Sequence, residues 1–197
     1  GRARKLLAGL LKQEPLNPAN IAAMADTWAR DNNDAALRDF YAAKLGEIRE
    51  PSQAAALRRG LIQVLTRSKD HAGAIEQYIQ LINRYPEDEG LSREAAQYAS
   101  AHNLRPRLLD FYRKAAAASP KDARWPIILA RLHTHFEDFP AAIAAYEQAV
   151  KARPERTDLY IARASLEERL HRFDDAIQTC RRVYELTYHN PEWMERA

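Results

Sequence analysis

The chain has 197 residues, 46% apolar and 29% charged, with 30 basic against 27 acidic residues. This is an ordinary water-soluble composition, and a net charge of +3 is too small an excess to imply nucleic acid; mixed charge on solvated helix faces accounts for it. Cys180 is the sole cysteine, which excludes a disulfide framework. No apolar run approaches the roughly 18 residues that span a bilayer, and the N-terminus does not read as a secretion signal.

With only 6 glycines and abundant alanine, the chain favours long helices joined by short turns. Residues 2–13 carry Leu6, Leu7, Leu10 and Leu11 at helical spacing, which predicts a first helix. Asn17-Pro18 supplies an N-cap followed by proline at the first helical position. A helix over 18–30 follows, with Ile21, Met24, Ala25 and Trp28 on one face. The polar turn from Asp31 to Asp34 leads into a helix over 35–49, and Pro51 ends the unit.

From Ala55 onward the pattern repeats strictly every 34 residues. Pro86, Pro120 and Pro154 hold that spacing, as do Tyr78, Tyr112 and Tyr146. So do Ile75, Leu109, Ile143 and Ile177, with Ala74, Leu108, Ala142 and Ala176 one residue earlier. Pro106 and Pro140 open second helices, where a missing N–H is tolerated. Trp125 and Trp193 lie two periods apart. Ladders of this kind in one register mark a helical repeat.

In these ladders the chain resembles the tetratricopeptide repeat family. The family wants a large residue near repeat position 4, Leu at 7, small residues at 8 and 20, an aromatic at 24, Ala at 27 and Pro at 32. The unit from Ala123 offers Trp125 one residue early, then Leu129, Ala130, Ala142, Tyr146, Ala149 and Pro154. The unit from Ala55 gives Leu61, Ile62, Ala74, Tyr78, Leu81 and Pro86; that from Glu89 gives Ala95, Ala96, Leu108, Tyr112, Ala115 and Pro120. The unit from Thr157 departs, with Arg163 at position 7, Cys180 in the aromatic slot as a buried filler, and Pro191 three residues late. The unit near Ile21 departs too, with a shortened inter-helix turn and a longer second helix.

The resemblance implies an all-α fold, an α-α superhelix in which antiparallel helix hairpins stack as a right-handed solenoid. About five units are expected, at 17–51, 55–88, 89–122, 123–156 and 157–190. Residues 1–16 read as a partial upstream helix and 191–197 as the start of another, so the chain reads as a segment of a longer array with apolar surface at both ends. Small residues at positions 8 and 20 let the two helices of a hairpin cross closely, and stacking of neighbours completes a core that no single hairpin can bury.

In the family, first helices line a groove that receives a peptide or partner helix. Its positions 2, 5, 9 and 12 are here Arg59, Gln63 and Thr66; Arg93, Gln97 and Ser100; Arg124, Ile127, Arg131 and Thr134; and Asp158, Ile161, Ser165 and Glu168. Arg59, Gln63, Arg93, Gln97, Arg124 and Arg131 therefore form the candidate site, a polar, basic groove for an extended acidic segment. Guanidinium groups recognise carboxylates, and Gln can both donate to and accept from a peptide backbone. The family's clamp for chaperone C-terminal tails is not matched, because Ala25 and Ala29 stand where its Lys and Asn should be.

His133 and His135 are two residues apart, which on a helix points the rings away from each other, and His133 falls in a packing slot. No metal or other cofactor is expected, and neither a phosphate loop nor a nucleophile motif is present. The expected function is a non-catalytic protein–protein interaction scaffold with a protein or peptide partner. The alternative is a structural spacer in a larger assembly or export protein. An RNA-binding array is disfavoured by interspersed Asp and Glu. The compartment, cytoplasmic or periplasmic, is left open.

Overall fold

In the protein's structure, a computed structural model, residues 2–14 and 16–188 are described. Every regular element among them is an α-helix. Helices α1 (Arg2–Gln13), α2 (Pro18–Arg30), α3 (Asp34–Glu47), α4 (Pro51–Arg67) and α5 (His71–Arg84) form a first compact unit that ends at Tyr85. A second unit begins at Pro86. It contains α6 (Glu89–Ala101), α7 (Arg105–Ala118), α8 (Arg124–His135), α9 (Phe139–Ala152), α10 (Thr157–Arg169) and α11 (Phe173–Tyr188). No helix among the described residues is long and apolar enough to cross a membrane. The expected start of a further helix at Pro191, with Trp193, lies outside the described residues.

One backbone device makes every hairpin. Each first helix ends in a three-residue turn whose middle residue is left-handed: Asn32, Lys69, Asn103, Glu137 and His171, with φ between 52° and 63°. The following N–H donates back to the carbonyl five residues earlier. Asp70 N reaches Leu65 O at 2.8 Å, Leu104 N reaches Ala99 O at 2.7 Å, and Asp138 N reaches His133 O at 2.9 Å. This is a Schellman closure, and it satisfies carbonyls that the helix end would otherwise leave unpaired. The next helix is then capped in several hairpins by a side chain, as when Asn33 accepts from Ala36 N, Asp70 from Gly73 N and Asp138 from Ala141 N.

The first hairpin therefore differs from expectation. Its turn is not shortened, and α3 has the same 14 residues as α5, α7 and α9. The irregularity lies in α4, which runs to 17 residues against 12 or 13 for the later first helices. Pro51 does more than end a unit. It sits in the first turn of α4, behind Glu50, whose carboxylate accepts from the N–H groups of Ser52 and Gln53. Proline is at home there because that N–H has no helical partner to lose.

Packing follows the small-residue slots. In the second unit Ala96, Leu108, Ala130 and Ala142 are all but inaccessible, as is Ala74 in the first. Tyr112, fully buried in the aromatic slot, places its ring 6.3 Å from that of Trp125, which joins one hairpin to the next. In the first unit the layers are Ile21, Ile48 and Leu57, and then Ala25, Leu37 and Val64, flanked by Trp28, Phe40 and Tyr41. The Tyr41 ring lies so near Gly60 that a Cβ there would meet it at 2.7 Å.

The last hairpin corrects two expectations. Cys180 is exposed rather than buried, and Ile177 is 52% exposed where Ile75 and Ile143 are buried. Both side chains lie on the side of α11 that a following first helix would cover, and no described helix packs there. Arg163, in the slot of a leucine, bends into an internal ion cluster. It meets Glu147 at 3.1 Å and the fully buried Glu167 at 2.7 Å, and Thr179 donates to Glu167 at 2.8 Å.

Ala142→Trp should lower the unfolding free energy by about 2–3 kcal/mol, because nothing at the α8–α9 crossing can yield to an indole. A denaturant titration checks this, and an unchanged midpoint would show the phase to be wrong. Lys69→Gly and Glu137→Gly should each raise stability by about 1 kcal/mol, since glycine removes the left-handed penalty. Asn103→Gly should gain less, asparagine being the better tolerated in that conformation; matched melting curves would rank the three.

Candidate functional site

The expected face is presented by the first helices, and its residues fall into two groups. On α4, Arg59 and Gln63 are exposed and one helical turn apart. On α6, Arg93 and Gln97 repeat that arrangement, again exposed. These pairs lie in different units, and each unit presents its own Arg–Gln step. The hydroxyls one turn further on are spent locally: Thr66, Ser100 and Thr134 donate to the carbonyls of Ile62, Ala96 and Ala130 at 2.7 to 2.8 Å. They leave an oxygen on the surface as an acceptor, and the Ser100 oxygen takes a bond from Arg105 at 2.9 Å.

Arg124 and Arg131 behave differently. Arg124 is exposed but clasped by Asp122, with Nε at 2.9 Å from one carboxylate oxygen and Nη2 at 2.6 Å from the other, while its guanidinium stacks over Trp125. The pairing holds the Asp122 carboxyl below the usual carboxylate range. Arg131 is only 9% exposed. Its Nη1 donates to the Pro86 carbonyl at 2.7 Å, and Nη2 lies 3.4 Å from both Glu87 and Glu89. Arg156 joins from the other side, 3.3 Å from Glu87 and 2.6 Å from Asp158. Arg131 is thus the buried post of a charge network that fixes the loop before α6. Ile127, also expected on the face, is buried beneath it.

Sequence spacing did not single out His135 as a site residue, yet it belongs to this face. Burial holds its imidazole below the ordinary value; the charges of Arg93 and Arg131 push the same way, and Glu89 opposes them. His135 is therefore within electrostatic reach of Arg93 and Glu89 on α6 and of Arg131 on its own helix. The only sequence signal for it was the clustering of basic types at 124–135. His133, two residues away, is buried and bonded to Asp138 at 3.0 Å, so the two imidazoles do not converge. Among the described residues no three His, Cys, Asp or Glu side chains gather as a metal site would require.

Comparison with known proteins places the repeat pattern. The Tetratricopeptide repeat family matches residues 129–191. No curated protein sequence matches the chain. Among solved structures, MamA residues 41 to the end from Desulfovibrio magneticus RS-1 is 16% identical, with 86% of this chain and 94% of that chain covered at a TM-score of 0.44. BtubC from P. vanneervenii is 15% identical, covering 94% and 87% at 0.44. YrrB, described as a TPR protein with an unusual peptide-binding site, is 11% identical, covering 94% of each chain at 0.43. The family match makes residues 129–191 a tetratricopeptide repeat segment, within a chain whose regular elements among the described residues are all α-helices.

Proposed function

We propose that the first-helix faces bind an extended, acidic segment of a partner protein, without catalysis. The observation that carries this reading is the repeated Arg–Gln step, Arg59 with Gln63 and Arg93 with Gln97, exposed on regular helices. A guanidinium offers paired donors to a carboxylate, while the amide one turn away can bond the backbone of the same ligand. In the second unit His135 lies within electrostatic reach of Arg93, while Arg131 is held inward by the Pro86 carbonyl and two glutamates and supports the face from beneath. Arg124, stacked and paired, borders the ligand and orients it more than it binds it.

The spacer alternative draws on a different observation. Leu6 near one end and Ile161, Phe173, Ile177 and Tyr184 near the other are more than half exposed, which suits stacking against further helices. The two readings are compatible in one molecule, since stacking surfaces and ligand-facing surfaces occupy different sides of a helix layer.

The double variant Arg59→Glu/Arg93→Glu should keep its helical circular dichroism while losing at least about tenfold in affinity for an acidic peptide probe such as a labelled poly-glutamate 12-mer. Equal affinity would discard the groove. Lowering the pH from 7.5 toward 5.5 should tighten binding of a pH-inert polyanionic probe, a sulfonated peptide. His135 is neutral at the upper value, and its protonation adds a cation beside Arg93; the His135→Gln variant should show a flatter profile by anisotropy titration.

A further inference from the structure

The second-helix side of the second unit carries a groove that the repeat pattern does not require. Helices α7 and α9 both pack on α8 and barely meet each other. Between them is a cavity of about 910 Å³, floored by Pro126 and Leu129 of α8 and walled by Ala141, Ala144 and Ala145 of α9. The slots of the three α9 alanines carry larger side chains in the flanking hairpins. One period earlier and later, Ala141 becomes Arg107 and Asp175, Ala144 becomes Asp110 and Gln178, and Ala145 becomes Phe111 and Thr179. The Leu129 slot is Ala95 one period earlier and Arg163 one period later, where Arg163 and Thr179 converge on Glu167. The α9 wall is low because this hairpin has alanines where its neighbours have larger or charged residues.

Its charge is equally local. Arg113, Lys121 and Lys151 line it, and no carboxylate does. Lys121 stands in the slot of Glu87 and Glu155, and Lys151 in that of Glu185, so the sign is reversed against the neighbouring hairpins. Arg113 shares a pair with Asp110 at 3.2 Å, but both side chains are more than half exposed and the attraction is largely screened. An apolar floor, low alanine walls and a cationic rim together define one kind of ligand. Two helices held apart with small residues facing the gap admit a third helix at about 8–10 Å between axes. A rim of cations with no carboxylate lining the groove selects acids along its flanks.

We propose that the groove between α7 and α9 is a second docking surface, and that it takes an amphipathic helix of a partner protein with an apolar stripe flanked by Asp and Glu. It is separate from the Arg–Gln faces: its walls are the second helices α7 and α9, it uses none of the Arg–Gln residues and it does not depend on them. The test is made in the Arg59→Glu/Arg93→Glu background, so that the first-helix faces do not contribute. The probe is a fluorescein-labelled, helix-favouring 18-residue peptide with Leu at i, i+3, i+4 and i+7 spacing and Glu on both flanks.

Saturable binding is expected, and it should weaken at least about tenfold in Lys121→Glu/Lys151→Glu and also in Ala144→Trp, each monitored for retained helicity. Ala144 is exposed, so filling the groove there leaves the core intact. The same peptide with Lys for Glu should not bind. Loss with the charge reversal but not with Ala144→Trp would mean surface attraction without docking and would overturn the proposal. So would no saturable binding, or preferential binding of a single-stranded oligonucleotide or of phosphatidylglycerol vesicles over the peptide.

Discussion

The α8–α9 hairpin, at the middle of the second unit, depends on how closely two helix backbones can approach where they cross. At Ala130 and Ala142 the side chains are a single methyl each and no solvent reaches them. Close approach there lets the longer neighbours, Ile128, Leu132 and Ile143, interdigitate on either side of the crossing. With the crossing fixed, the second helix has a set direction, and the aromatic at the next slot is delivered to the following hairpin. Tyr112 against Trp125 is that delivery in the second unit. The buried layers of this hairpin, and the surfaces it turns outward, are consequences of this one steric permission.

Most of the helix pattern was legible in the sequence because it is written in apolar spacing and in proline. The predicted spans 2–13 and 18–30 coincide with α1 and α2, and the 34-residue ladders place Glu89, Ala123 and Thr157 at or beside the starts of α6, α8 and α10. What was not legible is equally specific. Three of the left-handed turn residues are Lys, Glu and His, whereas glycine and, less often, asparagine announce such a turn, so only Asn32 and Asn103 carried even a weak sequence mark of the closure. The extra length that the spacing suggests for the second helix of the first hairpin belongs instead to α4, which opens the next hairpin.

The candidate site was legible to a lesser degree. Slot counting found Arg59, Gln63, Arg93 and Gln97 on exposed positions, because those slots differ from packing slots by one residue in a helical turn. It could not distinguish an arginine that faces solvent from one that turns inward, since a guanidinium on four rotatable bonds can do either. Arg131 turns inward because the Pro86 carbonyl and two glutamates wait within its reach, and these lie 42 to 45 positions away in the chain. His135 was passed over because its electrostatic surroundings come mainly from another helix. The α7–α9 groove was visible in principle as a run of alanines, but an alanine run reads equally well as helix propensity until the neighbouring hairpins are seen to carry larger side chains in those slots.

The two internal charge clusters have opposite implications for how an array of this sort can be rearranged by gene duplication. Glu167 is paired with Arg163 and hydrogen-bonded by Thr179, both from its own hairpin, so a copied or transplanted α10–α11 brings the partners of its buried carboxylate along and loses only the more exposed Arg163–Glu147 pair to α9. Arg131 draws its acceptors from the loop and helix ahead of α8, in the preceding hairpin. Moved to another address, α8–α9 would bury a guanidinium without partners, a loss of about 3–5 kcal/mol. One hairpin is portable, while the other is bound to its place in the order.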